Sequence, residues 1–195
     1  MATSNRESTS TTNKRLLNGD SDSKFRQFIY DFFYVSQIIE DGRREFAKLI
    51  GVTPPQYSML MLIAEHRQGG GITIKDVARI LHVQSPFVVL NARILVKRGI
   101  LYREPNPEDG RSVFLHVTPH GAALIDTVRP LVRLANDLLF KPIDRADFQR
   151  LSETFAILAG EGAATIRSIQ DARVVLEKGI HKKGSGQLPK ASVSK

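Results

Sequence analysis

Between Thr73 and Val117 the chain gathers seven cationic side chains, Lys75, Arg79, Arg93, Lys97, Arg98, Arg103 and Arg111, against four acids, Asp76, Glu104, Glu108 and Asp109. Guanidinium and ammonium groups at this spacing, with Thr73, Gln84, Ser85 and Asn91 among them, suit a polyanion: cations meet phosphates and neutral polar groups meet base edges. A second basic cluster lies between Ala172 and Lys195, where Arg173, Lys178, Lys182, Lys183, Lys190 and Lys195 face Glu177 alone. The two stretches carry +3 and +5, the whole of the net charge of +8. Basic surface also keeps a protein soluble, and charge alone does not separate that role from nucleic-acid binding.

Other chemistry has little to work with. The chain has no cysteine, which excludes disulfides, thiolate metal sites, nucleophilic thiols and thiol-based sensing. It carries no HExxH, no Walker-type lysine followed by serine or threonine, and no glycine-rich nucleotide fingerprint, so neither an enzyme nor a cofactor is expected. Gly69, Gly70 and Gly71 are followed by a short strand-like Ile72 rather than a helix, and they read as a linker. His116 and His120 are four apart but fall on either side of a strand-to-helix junction, so no metal site is expected from them.

The elements that must hold the cationic stretch can be read from its punctuation. Thr73 with Asp76 three residues on, before Val77, Ile80 and Leu81, predicts a short capped helix that ends by Val83. Ser85 before Pro86 reads as an N-cap and first helical position; the second helix buries Val88, Ala92, Leu95 and Val96 and closes at Gly99 behind Lys97 and Arg98. Together these make a helix-turn-helix. Ile100 to Arg103 and Val113 to Val117 then read as two strands around a turn, Pro105 to Gly110, which adds a wing with Arg111 at its tip.

This order of motifs resembles the MarR family of transcriptional regulators. The likeness rests on Thr53-Pro54-Pro55-Gln56-Tyr57 opening a helix, the helix-turn-helix, the Arg98-Gly99-Ile100-Leu101 exit, the wing with Asp109-Gly110-Arg111-Ser112, and Thr118-Pro119-His120-Gly121 opening further helices. It covers roughly residues 24–171. The fold implied is mostly α with a small β-wing, a winged helix-turn-helix at about 53–117 and dimerisation helices at about 24–50 and 118–171. The function implied is a homodimeric repressor that binds a roughly palindromic operator in double-stranded DNA and is released by a small ligand.

The family's reading head departs here from its usual composition. The outward positions of the second helix are Phe87, Val89, Leu90, Arg93, Ile94 and Lys97, where relatives usually carry Thr, Ser, Arg or His at several of the earlier sites. Base readout is therefore expected to be sparse, from Gln84, Ser85, Asn91 and Arg93, with Val89 or Leu90 against thymine methyls. Thr73, Lys75, His82, Arg98 and Arg103 are the expected phosphate contacts, and Asp109 is expected to orient Arg111 toward a narrow minor groove. The apolar face also fits a second reading, a winged-helix protein-interaction or architectural module without ligand control.

Outside the reading head, residues 1–23 hold too few apolar side chains to order them and are expected to be a disordered tail. Phe25 to Ile50 is apolar over more than one helical face and predicts a long helix that needs a partner, with Gly42 as a site for a kink or close packing. After Thr118 two helices are expected, broken at Lys141-Pro142, with Gly160 and Gly162 weakening the second, and residues 172–195 end it in a basic tail. The resemblance implies a pocket where the first two helices meet the DNA-binding lobe. Tyr30, Tyr34, Tyr57, Met61, His66 and Arg93 are its candidate lining, suited to an aromatic acid. A chain of 195 residues fits one domain; with no apolar run of membrane-spanning length and no signal sequence, a cytoplasmic protein is expected.

Overall fold

The computed structural model describes residues 9–67, 70–107, 109, 110 and 112–184, and the chain divides into two compact units, Met1–Leu138 and Leu139–Lys195. The first unit holds α1 (Ser23–Leu49), α2 (Pro54–Glu65), β1 (Ile72–Thr73), α3 (Ile74–Ile80), α4 (Ser85–Lys97), β2 (Leu101–Pro105), β3 (Val113–Val117) and nearly all of α5 (Pro119–Leu139). The three strands form one antiparallel sheet in the order β1-β3-β2. The architecture is mostly helical with a small wing, as the sequence predicts.

The helices of this unit start where their caps dictate. Thr53 and Gln56 form a reciprocal capping box ahead of Pro54, with the Thr53 N–H donating to Gln56 Oε1 at 3.1 Å. Thr73 accepts from the Asp76 N–H at 3.1 Å and opens α3. The start of α4 differs from the expected one: Gln84 is the capping residue, makes no side-chain cap bond, and leaves Ser85 as the first helical residue with Pro86 next.

The core is built where α2 crosses the helix-turn-helix and the sheet. Met59, Leu60 and Ile63 of α2 meet Val77 of α3, Val88, Ala92 and Leu95 of α4, Leu115 of β3 and Val128 of α5, all essentially excluded from solvent. From α1 only the last turns join this core, through Phe46, Ala47 and Ile50. The Phe46 ring packs on Tyr57 with centroids 5.8 Å apart. The rest of α1, a helix of 27 residues that runs through Gly42 without a break, lies outside the core.

Two corrections concern the ends of the chain. Residues 9–22, expected to be structureless, form a 3-10 turn at Lys14–Leu16 and a closure in which the Ser10 N–H and hydroxyl both donate to Asp22 at 2.6 Å. Hydrogen bonds to one carboxylate order this segment, a mechanism that an apolar count does not detect. The second unit carries α6 (Arg145–Gly184), a single helix of 40 residues started by Asp144, whose carboxylate accepts from the Asp147 N–H at 2.7 Å. It runs through Gly160 and Gly162 and past Lys178, where a loose tail was expected. Ala159, Ala163 and Ala164 beside the glycines supply the helix propensity that the glycines lack. Residues 185–195 lie outside the described ones.

Candidate nucleic-acid interface

The first structural condition for a reading head is a second helix whose inner face is anchored and whose outer face is free. Val88, Ala92 and Leu95 are fully buried, and the opposite face of α4 presents Phe87, Val89, Leu90, Arg93, Ile94 and Lys97 to solvent. Helical spacing puts Pro86, Leu90, Arg93 and Lys97 along the centre of that outer face, so the outer stripe is apolar toward its N-terminus and cationic toward its C-terminus. Leu90 is the most exposed apolar side chain of the helix, at 59%.

Asn91 does not belong to this face. It is 7% exposed and its amide donates to the Phe87 carbonyl at 2.9 Å. One residue is 100° of helix, and that rotation carries Asn91 from the edge of the stripe into the core, so it is withdrawn as a base-edge candidate. Gln84 and Ser85 stand exposed at the N-terminal end of α4, and Arg93 is exposed midway along it.

The expected phosphate contacts divide. Lys75 and Arg103 are exposed. Thr73 is committed elsewhere: its hydroxyl donates to Asp76 Oδ2 at 2.7 Å, and Arg79 donates to the other oxygen at 3.0 Å. The Thr73 hydroxyl first, then Arg79, holds the Asp76 carboxyl below its ordinary value. Thr73 is therefore a helix cap, with no hydroxyl proton left for a phosphate. Arg98 is also used within the fold, donating to the Gly51 carbonyl at 2.7 Å and tying the end of α4 to the α1–α2 connection. His82, in the α3–α4 turn, takes a left-handed φ of 53° and marks where the chain reverses between the two helices.

The wing is a regular hairpin, with Leu101 opposite Val117 and Pro105 opposite Val113. Its tip is closed by bonds that sequence reasoning missed: the Asn106 N–H donates to the Ser112 carbonyl at 3.2 Å, and the Asn106 amide to the Ser112 hydroxyl at 2.9 Å. Asp109 is exposed within this loop. Arg111, the expected tip cation, lies outside the described residues, and so does its pairing with Asp109. On the wing face His116 stacks on Tyr102 with centroids 4.8 Å apart, and its Nε2 lies 3.1 Å from a Glu104 carboxylate oxygen without the alignment of a hydrogen bond. Gly71, at φ 93°, passes under that ring, where a Cβ would lie 2.5 Å from it.

The six expected pocket residues do not converge. Tyr30 and Tyr34 are exposed on α1, at 61% and 70%, and Tyr57 is buried against Phe46. His66 bonds through Nδ1 to the Leu62 carbonyl of its own helix at 2.9 Å, Met61 is half-buried on α2, and Arg93 faces outward from α4. The reason is tertiary: α1 meets α2 only through its last turns, which leaves its tyrosines far up the helix. A cavity of about 530 Å³ instead opens between the end of α2 and the start of α5, lined by Ala64, Glu65, Arg67, Val117, Ala122, Ile125, Asp126 and Arg129. Among the described residues no group of three or more His, Asp or Glu is placed to hold a metal ion, and no helix is long and apolar enough to cross a membrane.

Known proteins match this architecture. The MarR family profile fits residues 50–112, from the end of α1 to the wing. The organic hydroperoxide resistance transcriptional regulator of Bacillus subtilis is 31% identical over 75 residues, 38% of this chain and 49% of that protein, so the chain spans about half the length of this relative. In fold, the chain is similar to CouR from Rhodococcus jostii bound to p-coumaroyl-CoA (TM-score 0.63, 21% identity, 71% of this chain and 96% of that one). It is similar to the same degree to a MarR family transcriptional regulator from Streptomyces coelicolor in complex with DNA (TM-score 0.63, 21% identity, 72% and 92%). Over the helix-turn-helix and wing, residues 50–112, the chain carries the signature of the MarR family, on a fold similar to that of solved winged-helix proteins of that family.

Proposed function

We propose that the protein is a DNA-binding transcriptional regulator that works as a homodimer, sets α4 of each copy in the major groove of a roughly palindromic operator, and lays its wing on the adjacent backbone or minor groove. The observation that carries this reading is the outer face of α4. Its inner face is locked into the core by Val88, Ala92 and Leu95, and Arg93 and Lys97 stand free beside the exposed Lys75 and Arg103. Gln84, Ser85 and Arg93 are the residues assigned to base edges; Lys75, Lys97 and Arg103 are assigned to phosphates, and Asp109 with Arg111 to the wing tip.

Repression relieved by a small molecule extends the same reading. The cavity between α2 and α5 has the volume of a ligand site; its wall carries Glu65 and Asp126 as well as two arginines, and with Arg129 paired to Asp126 at 2.8 Å, Arg67 is the cation assigned to an acid such as an aromatic carboxylate. CouR, a protein of similar fold, is bound to p-coumaroyl-CoA in its crystal structure. A ligand acts by binding better to the dimer whose two reading heads are wrongly spaced for the operator. The alternative, a protein-interaction module, draws on the apolar end of the α4 face. Gel retardation of the duplex adjoining the protein's own gene, with and without aromatic acids, tests the proposal. Retardation that an acid relieves supports it in full, and no retardation even at low salt overturns it.

A further inference from the structure

The outer face of α4 holds a combination that phosphate binding does not explain. Phe87, Val89, Leu90 and Ile94 are 40%, 42%, 59% and 40% exposed on one helix, while Asn91, the polar residue among them, is turned into the core. Exposed apolar side chains at this density mark a surface that something covers. The same stripe continues into Arg93 and Lys97, and Lys75, Arg79 and Arg103 are exposed on the neighbouring elements. That surround favours a polyanion over an apolar protein groove. Within a polyanionic duplex the apolar group presented in the major groove is the C5-methyl of thymine.

We propose that Leu90, flanked by Phe87 and Val89, is a thymine-methyl reader, so that the half-site is specified by thymines at the positions beneath the N-terminal half of α4. This rests on the DNA-binding reading above and adds the base it selects. Polar exchange cannot replace the contact: leucine, valine and phenylalanine offer no donor or acceptor to a guanine, cytosine or adenine edge. Burying one methyl against them is worth roughly a fourfold change in affinity. Gln84, Ser85 and Arg93 supply the remaining direct readout, at the helix start and beyond the apolar patch.

The test uses the full chain and a random duplex pool. Bound sequences are selected at moderate salt, and affinity is then measured on the selected duplex with each thymine replaced in turn by deoxyuridine. That change removes the methyl and keeps the pairing and the O4 acceptor. We expect enrichment of thymine in each half-site, a loss of about fourfold at each contacted thymine, and disappearance of the loss at one position in Leu90→Ala. Leu90 is outside the core, so this variant folds, which circular dichroism checks. Specific binding that is indifferent to deoxyuridine at every position and to Leu90→Ala overturns the proposal while leaving DNA binding intact, and would return the apolar face to a protein partner. Failure to enrich any duplex overturns both readings.

Discussion

Gly121 and Ile100 are in backbone contact: a Cβ on Gly121 would lie 2.3 Å from the Ile100 carbonyl oxygen, which has no room to yield. The contact closes the start of α5 against the exit from α4. Thr118 completes the joint, its hydroxyl donating to the Gly99 carbonyl at 2.7 Å and accepting from the Gly121 N–H at 3.0 Å. Gly121→Ala is expected to destabilise the protein by about 2–3 kcal/mol, because the added methyl meets main chain rather than a movable side chain. Thr118→Val, which keeps the shape and loses the bonds, should cost about 1–2 kcal/mol. Urea unfolding of both variants checks the order, and a Gly121→Ala protein as stable as the parent would refute the contact.

That joint shows what a sequence can and cannot reveal. Thr118-Pro119-His120-Gly121 is readable as a helix start because capping is local, and the glycine's position within it is visible. Its partner, Ile100, is twenty-one residues back and known only once the wing has folded. The helix-turn-helix and the wing are legible for the same local reason: Thr73, Pro86 and Gly99 punctuate α3 and α4 within a few residues of each boundary. The candidate site is less so. Asn91 sits one residue from a buried stripe, and apolar spacing defines a stripe's edge only to about one residue. The candidate ligand-pocket residues are harder still to read, since they lie on helices whose crossing point no local signal gives.

The Asp76 carboxylate gives the reading head a dependence on acid. Its pKa is held below the ordinary 3.8 by the Thr73 hydroxyl and then by Arg79. A carboxylate whose pKa is lower in the folded chain contributes stability that is fully present above the unfolded value and lost as pH falls through the folded one. The gap in urea midpoint between the parent and Thr73→Val should therefore be widest near neutral pH and shrink below pH 3.8. Midpoints measured at both ends of that range check it. A gap that is unchanged in acid would mean the cap does not act through the charged carboxylate.

Arg98 separates a fold role from a DNA role. Its guanidinium donates to the Gly51 carbonyl at 2.7 Å. On an exposed side chain this bond is worth about 1 kcal/mol, so Arg98→Ala should lower stability by that amount. It should leave the slope of log affinity against log salt where it was. Lys97→Ala should do the reverse, with unfolding unchanged and a salt slope smaller by about one. Retardation assays over a salt series, with unfolding of the same preparations, distinguish the two. A reduced slope in Arg98→Ala would mean that the arginine leaves Gly51 for a phosphate on binding.

The part of α1 outside the core leads to the last prediction. Phe28, Val35 and Ile39 recur at helical spacing along one stripe, 52%, 41% and 43% exposed, and the core reaches only Phe46, Ala47 and Ile50 farther down. A stripe of this length fits a contact with a second copy of the chain, as the proposed homodimer on a twofold operator would need. Phe28→Asp combined with Val35→Asp should leave the winged helix-turn-helix folded, since neither side chain enters the core, and should give a monomer on sedimentation. Losing the second reading head removes the effective concentration it supplies, so operator affinity should fall by about a hundredfold or more. A double variant that still sediments as a dimer would place the contact between copies elsewhere. One that is monomeric yet binds the operator as tightly as the parent would show that a single reading head is enough.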